Sequence, residues 1–108
     1  MNFAATQSGF EEVRREWPSH GAWDGVYGGW HWFDVMGLMD GGERVVFDLE
    51  IGYRDSRPTA GEQTRYIAKI DFCSRHGWNY VIIARGLSSQ EVGVRMRHVM
   101  REIRNARV

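Results

Sequence analysis

From His31 to Tyr53, two runs rich in β-branched and aromatic residues, HWFDVMGLM and ERVVFDLEIGY, flank the triplet DGG. That pattern predicts two strands joined by a tight turn. Upstream, Phe10, Val13 and Trp17 recur at helical spacing behind Ser8 as a cap, and Pro18 stops the run, so a first helix is expected there. GAWDGVYGGW, rich in glycine and aromatics, reads as a short strand or an irregular approach to the sheet. After the loop RDSRP, a capping box of Thr59 and Glu62 opens a helix that ends at Gly77. Its inward face is expected to carry Ile67, Ile70 and Cys73 or Ser74, with Gln63 in line above them. WNYVIIARG, an apolar run bounded by glycines, predicts a buried strand. A second capping box, Ser88 and Glu91, opens a last helix with Val92, Met96, Val99 and Ile103 as its apolar stripe. The elements run α-β-β-β-α-β-α, an α/β arrangement in which a small mixed sheet is flanked by helices.

No repeat, low-complexity tract or proline-rich linker interrupts the 108 residues, so residues 1–108 read as one domain, too small for a separate cofactor domain. With 43% hydrophobic and 26% charged residues the composition is that of a water-soluble globule. No apolar run approaches the roughly 18 residues of a membrane span, and the polar start lacks a signal segment. The expectation is a cytoplasmic protein without membrane contact. Cys73, the single cysteine, excludes an internal disulfide and a cysteine cluster for zinc, and reads as core. The formal net charge is zero, yet acids dominate residues 1–54 and arginines dominate residues 55–108.

The hairpin is where the pattern acquires chemistry, because it places Asp34, Asp48 and Glu50 inside its strands. Side chains alternate along a strand, so Asp48 and Glu50 share a face, about 7 Å apart. Two such carboxylates repel unless a cation lies between them, and a hard divalent metal with oxygen ligands is the usual answer. Asp34 on the neighbouring strand is a third acid, and the turn decides its position. A two-residue turn at the glycines sets Asp34 across from Leu49, on the wrong face. A three-residue loop or a bulge sets it across from Asp48 or Glu50. The pattern by itself leans towards three acids on the wet face of a one-sided sheet.

The order of these residues resembles the PD-(D/E)XK nuclease superfamily, and its spacing is similar to small VRR-NUC and Holliday-junction-resolvase-like members. The resemblance runs from about Gly9 to Gly86. It implies a restriction-endonuclease-like fold and magnesium- or manganese-dependent cleavage of DNA. Asp34 and Asp48 match the metal-binding acids, Glu50 the position usually held by Lys, and Gln63 the helix Gln. Catalytic residues are then Asp34, Asp48, Glu50 and Gln63, with Asp34, Asp48, Glu50 and the Leu49 carbonyl at the metal. Glu11 or Glu12 matches an acid that some members carry on the first helix. Glu50 is the main departure, since the usual Lys orients the attacking water. Other members carry that Lys on the following helix; here Lys69 is the only lysine, six residues past Gln63 and off its face, and Arg65 fits the role no better. The resemblance therefore leaves a rival open: a catalytically inactive nuclease-fold protein that binds nucleic acid or a protein partner, such as a phage or mobile-element accessory or inhibitor.

Arg95, Arg97, Arg101, Arg104 and Arg107 give the last helix a basic surface suited to phosphates, or a solvated face balanced by Glu91 and Glu102. Arg65, Lys69, Arg95 and Arg101 are the residues expected to touch DNA. Trp23, Trp30 and Trp32 are expected in the core or a dimer contact rather than stacked on bases. The four histidines have no ligand-like spacing and receive no role. A homodimer is expected, because a chain this short offers little surface to a duplex.

Overall fold

Val45, Val46 and Phe47 are consecutive, apolar and fully buried at the centre of β3 (Arg44–Leu49), as expected of a strand covered on both faces. β2 (Gly29–Leu38) pairs with β3 antiparallel, and β1 (Glu12–Asp24) pairs with the far side of β2, also antiparallel. β4 (Asn79–Ile83) lies parallel to β3, which needs a crossover, and α2 (Ala60–His76) lies between them in the chain. With α1 (Asn2–Gln7) and α3 (Ser89–Asn105), the computed structural model is an α/β fold in the expected element order, around one sheet ordered β1-β2-β3-β4. It describes residues 1–50 and 60–107; the loop RDSRP and the cap Thr59 lie outside the described residues. Among the described residues no helix is long and apolar enough to cross a membrane.

The sheet separates two apolar clusters. Ala4 and Ala5 of α1 and Val92, Met96, Val99 and Met100 of α3 pack with Val35, Val45, Phe47 and Ile83. On the opposite face Phe72 and Cys73 of α2 pack with Phe33, Met36 and Val46, bordered by Trp17, Trp78 and Tyr80. α3 follows its sequence signals closely: the Ser88 hydroxyl accepts from Glu91 N at 3.1 Å, and the Glu91 carboxylate accepts from Ser88 N at 3.2 Å. α2 ends at Gly77, whose φ of +71° lets Trp78 N reach back to the Cys73 carbonyl at 2.9 Å.

Three sequence expectations are corrected here. The stretch expected as the first helix, from Ser8 to Trp17, is mostly β1, and the first helix is the earlier α1. Its helical spacing is that of a strand whose faces reverse midway. Val13 packs on the α3 side and Trp17 on the α2 side, and between them Glu16 has a φ of +47°. Its neighbours Arg15 and Trp17 pair with Val35 and Phe33, which divide between the two faces in the same way. Pro18 does not end an element; it sits inside edge strand β1, where proline is tolerated, within the register irregularity between Trp17 and Ala22.

The second correction is the face of α2. Ile67 and Ile70 are 58% and 53% exposed, while Ala68, Phe72 and Cys73 face the sheet. The third is the core half of the tryptophan expectation: Trp23, Trp30 and Trp32 are exposed, and it is Trp17 and Trp78 that border the core, edge to face at 5.0 Å. β4 is a strand as expected, although its edge position leaves only Ile83 fully buried.

Candidate functional site at the end of the central hairpin

The turn between β2 and β3 has three residues. Met39 N donates to the Glu43 carbonyl at 2.8 Å, so Asp40, Gly41 and Gly42 form the loop, and Gly42 takes the left-handed φ of +87° such a loop requires. Arg107 clasps it from the end of the chain, with Nε 2.6 Å from Glu43 and Nη2 2.7 Å from Asp40. Val35 therefore pairs with Phe47, the last pair of the ladder, and Asp34 and Asp48 meet just past that rung. There the two carboxylates bond to backbone across the hairpin: Asp34 N donates to Asp48 Oδ1 at 3.1 Å, and Leu49 N donates to Asp34 Oδ2 at 2.7 Å.

Asp34 is exposed and Asp48 is 6% exposed. Burying a carboxylate is costly without partners, and Asp48 has them. Lys69 Nζ lies 2.7 Å from its Oδ2, and the Tyr80 hydroxyl donates to the same oxygen at 2.7 Å. Lys69 also donates to the Trp32 carbonyl at 2.6 Å, so it ties α2 to both strands of the hairpin. With Lys69 over Asp48, Arg65 and Tyr66 reach the same opening, and Ile67 and Ile70 are left exposed. Burial, and then the Asp48 charge, push the Tyr80 phenol far above its usual range, so it remains a donor. The same two causes push the Cys73 thiol up to about 12.

Asp34, Asp48, Leu49, Arg65, Tyr66 and Lys69 line one cavity of about 130 Å³. Of the residues expected at the site, Asp34, Asp48, Arg65 and Lys69 are thus brought together. Gln63 is an exposed residue of α2 and does not line the cavity. Glu50 follows β3, its N–H donating to the Ile83 carbonyl at 2.8 Å and its own carbonyl accepting from Arg85 at 3.0 Å. Among the described residues no three His, Cys, Asp or Glu side chains are grouped to hold a metal ion, so Glu50 does not join Asp34 and Asp48. Glu11 and Glu12 are not helical: Glu11 N donates to the Leu38 carbonyl, four residues along β2 from Asp34, roughly 13 Å away. Arg95, Arg97 and Arg101 are exposed along α3, whereas Arg104 and Arg107 are paired with Asp40.

Two features were not read from the sequence. Tyr80 had a signal, since a tyrosine in a short apolar strand needs a partner for its hydroxyl. The other is a buried network around Asp24, which is fully inaccessible. Its carboxylate accepts from Val26 N at 2.9 Å and Tyr27 N at 3.1 Å, meets His31 Nε2 at 2.8 Å, and takes Arg75 at 3.2 Å. Only the Asp-Gly turn signal of that network is local. No protein-family model, curated protein or solved structure matches the chain.

Proposed function

We propose that the chain is a metal-dependent DNA endonuclease of the PD-(D/E)XK kind, with Lys69 supplying from α2 the cation that Glu50 denies to β3. The observation that carries this reading is the convergence of Asp34 and Asp48 with Lys69 and Arg65 on one small cavity. The donor set fits magnesium or manganese: two carboxylates and the Leu49 carbonyl are hard oxygen ligands, and magnesium commonly takes only one or two carboxylates from protein. Bound there, the metal would lower the pKa of a water and stabilise the leaving oxygen.

The chain's own groups have separable roles. Lys69 donates from Nζ to Asp48 and to the Trp32 carbonyl and offers positive charge beside the phosphate. Tyr80 fixes the Asp48 carboxylate by donating to it. Arg65, exposed at the rim, presents a planar fork suited to a phosphate. At about 130 Å³ the cavity admits an ion and a phosphate edge but not a nucleotide, so the rest of the DNA lies across the surface. Arg95 and Arg101 supply salt-dependent phosphate contacts.

The direct test is nicking of supercoiled plasmid and branched DNA by purified protein with magnesium or manganese, against a chelator control. Absence of cleavage with both metals and both substrates overturns the reading. A second expectation concerns stability. A cation that binds only the folded chain raises the melting temperature, here by a few degrees at millimolar metal. Asp34→Asn should remove most of the rise, as thermal denaturation with and without metal will show.

One observation favours the rival reading of an inactive nuclease-fold binding protein: both Asp48 oxygens already accept protein donors, three in all. That reading expects no cleavage, no melting shift with metal, and phenotypes confined to the exposed arginines or a partner surface.

A further inference from the structure

Asp48 reaches the cavity with much of its charge already engaged. Its side chain is 9% exposed and that of Lys69 12%, so solvent screens their 2.7 Å contact little. Lys69 is held there from three directions: Nζ donates to Asp48 Oδ2 and to the Trp32 carbonyl, and lies 5.0 Å from the centroid of the Phe33 ring. Tyr80 donates to the same carboxylate oxygen, so Oδ2 carries two donors at 2.7 Å. Oδ1 carries Asp34 N, at a longer 3.1 Å. What Asp48 still offers a cation is therefore at Oδ1, beside Asp34.

The charges around the cavity act in the same direction. Among the described residues that line it, Asp34 and Asp48 are the acids and Lys69 and Arg65 the cations, so their formal charges cancel. A divalent cation gains little from a site without net charge, and Lys69, 2.7 Å from one of the two carboxylates, repels it. A phosphodiester is an anion, and beside Lys69 and Arg65 it offsets the charge that the cation adds.

We propose that Lys69 makes the site's hold on a divalent cation conditional on a bound phosphodiester, so that the chain alone holds the cation weakly and the two ligands bind cooperatively. The inference deepens the nuclease reading and rests on it for the identity of both ligands. Such coupling is reciprocal: the factor by which the phosphodiester tightens the cation is the factor by which the cation tightens the phosphodiester. Arg65 adds to the effect, but it is exposed and screened, so the half-buried Lys69 has the larger influence. The catalytic set is then complete only where a phosphate lies against it.

The test is manganese binding to the full chain, read from the electron paramagnetic resonance of the free ion, with and without dimethyl phosphate. This is the simplest phosphodiester and is slow to hydrolyse. Neutral trimethyl phosphate at equal concentration is the control, and binding of manganese by dimethyl phosphate alone is subtracted. In the parent, saturating dimethyl phosphate should tighten manganese roughly ten-fold, and trimethyl phosphate should leave it unchanged. Lys69→Gln, which keeps an N–H donor for Asp48 without the charge, should bind manganese roughly ten-fold more tightly than the parent when no phosphate is added, and gain less from dimethyl phosphate. Lys69→Met, which loses donor and charge together, should show the same gain at a lower melting temperature, so that charge and fold are read apart. A parent that takes manganese equally well with and without dimethyl phosphate overturns the proposal and leaves the nuclease reading to its cleavage test. Lys69 variants that bind manganese no more tightly than the parent also overturn it, since that is what a purely structural lysine predicts. A parent that takes up no manganese under either condition overturns both. Coupled binding in a protein that cuts nothing supports the proposal and removes the nuclease reading.

Discussion

Asp48→Asn is expected to reduce metal-dependent nicking by at least about a hundred-fold, with binding to duplex DNA little changed. The substitution removes the charge that Lys69 and Tyr80 both address at Oδ2 and can turn an amide N–H towards those donors. Because Asp48 is buried, a loss of activity here must be separated from a loss of fold. Asp34→Asn provides the separation. Asp34 is exposed, and an asparagine oxygen can still accept from Leu49 N, so this variant should melt near the parent and be comparably inactive. Lys69→Met should also lose activity, and Glu50→Ala should keep most of it, since Glu50 does not join the two aspartates. Plasmid nicking followed over time by each purified variant settles the pattern. Undiminished cutting by both aspartate variants would point to a contaminant and leave the nuclease reading without support.

The second large effect is expected away from the site, at Asp24. Burial is the strongest single influence on its carboxyl and pushes its pKa up, but the bonds from His31, Tyr27 N, Val26 N and Arg75 together outweigh it and hold the pKa far below the usual range. A group whose pKa is depressed by folding stabilises the protein above its unfolded value, near 3.9, and loses that contribution as pH falls towards the folded value. The parent should therefore be least stable on the acid side, with melting temperature falling steeply below about pH 4. Asp24→Asn should melt roughly ten degrees lower at neutral pH, because His31 and Arg75 lose the charge they face, and its acid limb should be much flatter. Melting temperatures at a series of pH values for parent and variant test this. Parallel acid limbs would show that other carboxylates carry the effect. Asp40 and Glu43, also held low by Arg107, are the ones to examine next, although solvent reaches both, Asp40 being exposed and Glu43 half-buried, and keeps each contribution small.

Elements whose signals are local could be read from the chain. α3 was legible in its cap, capping box and most of its apolar stripe, though not in Met100, because these lie within one stretch, and the end of α2 at Gly77 needed only a glycine after the last periodic residue. The α/β class followed from these and from the β-rich hairpin, and the element order agrees although its first helix was placed on residues that form β1. β1 was misread because Phe10, Val13 and Trp17 stand three and four residues apart, a spacing that suits a helix, while the reversal at Glu16 that lets a strand bury Val13 on one face and Trp17 on the other has no sequence signal. The inward face of α2 was hidden for a different reason: it is shared by Ala68, Phe72 and Cys73 with Lys69, whose partner Asp48 is distant in sequence, while apolar Ile67 and Ile70 are exposed. At the site itself the sequence left two hairpin registers open, and the three-residue loop realises the one whose end brings Asp34 and Asp48 together. The Asp24 network joins residues as far apart as 24 and 75, and no local pattern encodes that distance.

Cys73 gives the molecule an internal probe of its own opening. The thiol is 1% exposed and its pKa is raised to about 12 by burial and then by Asp48, so at neutral pH almost none of it is the reactive thiolate. Alkylation of the native chain must wait until α2 lifts from the sheet and breaks the Lys69 and Tyr80 bonds to Asp48. With one cysteine in 108 residues, the labelling rate reports that single event. A ligand that engages Asp34 and Asp48 across the hairpin should slow labelling in proportion to its occupancy, even where nothing is cut.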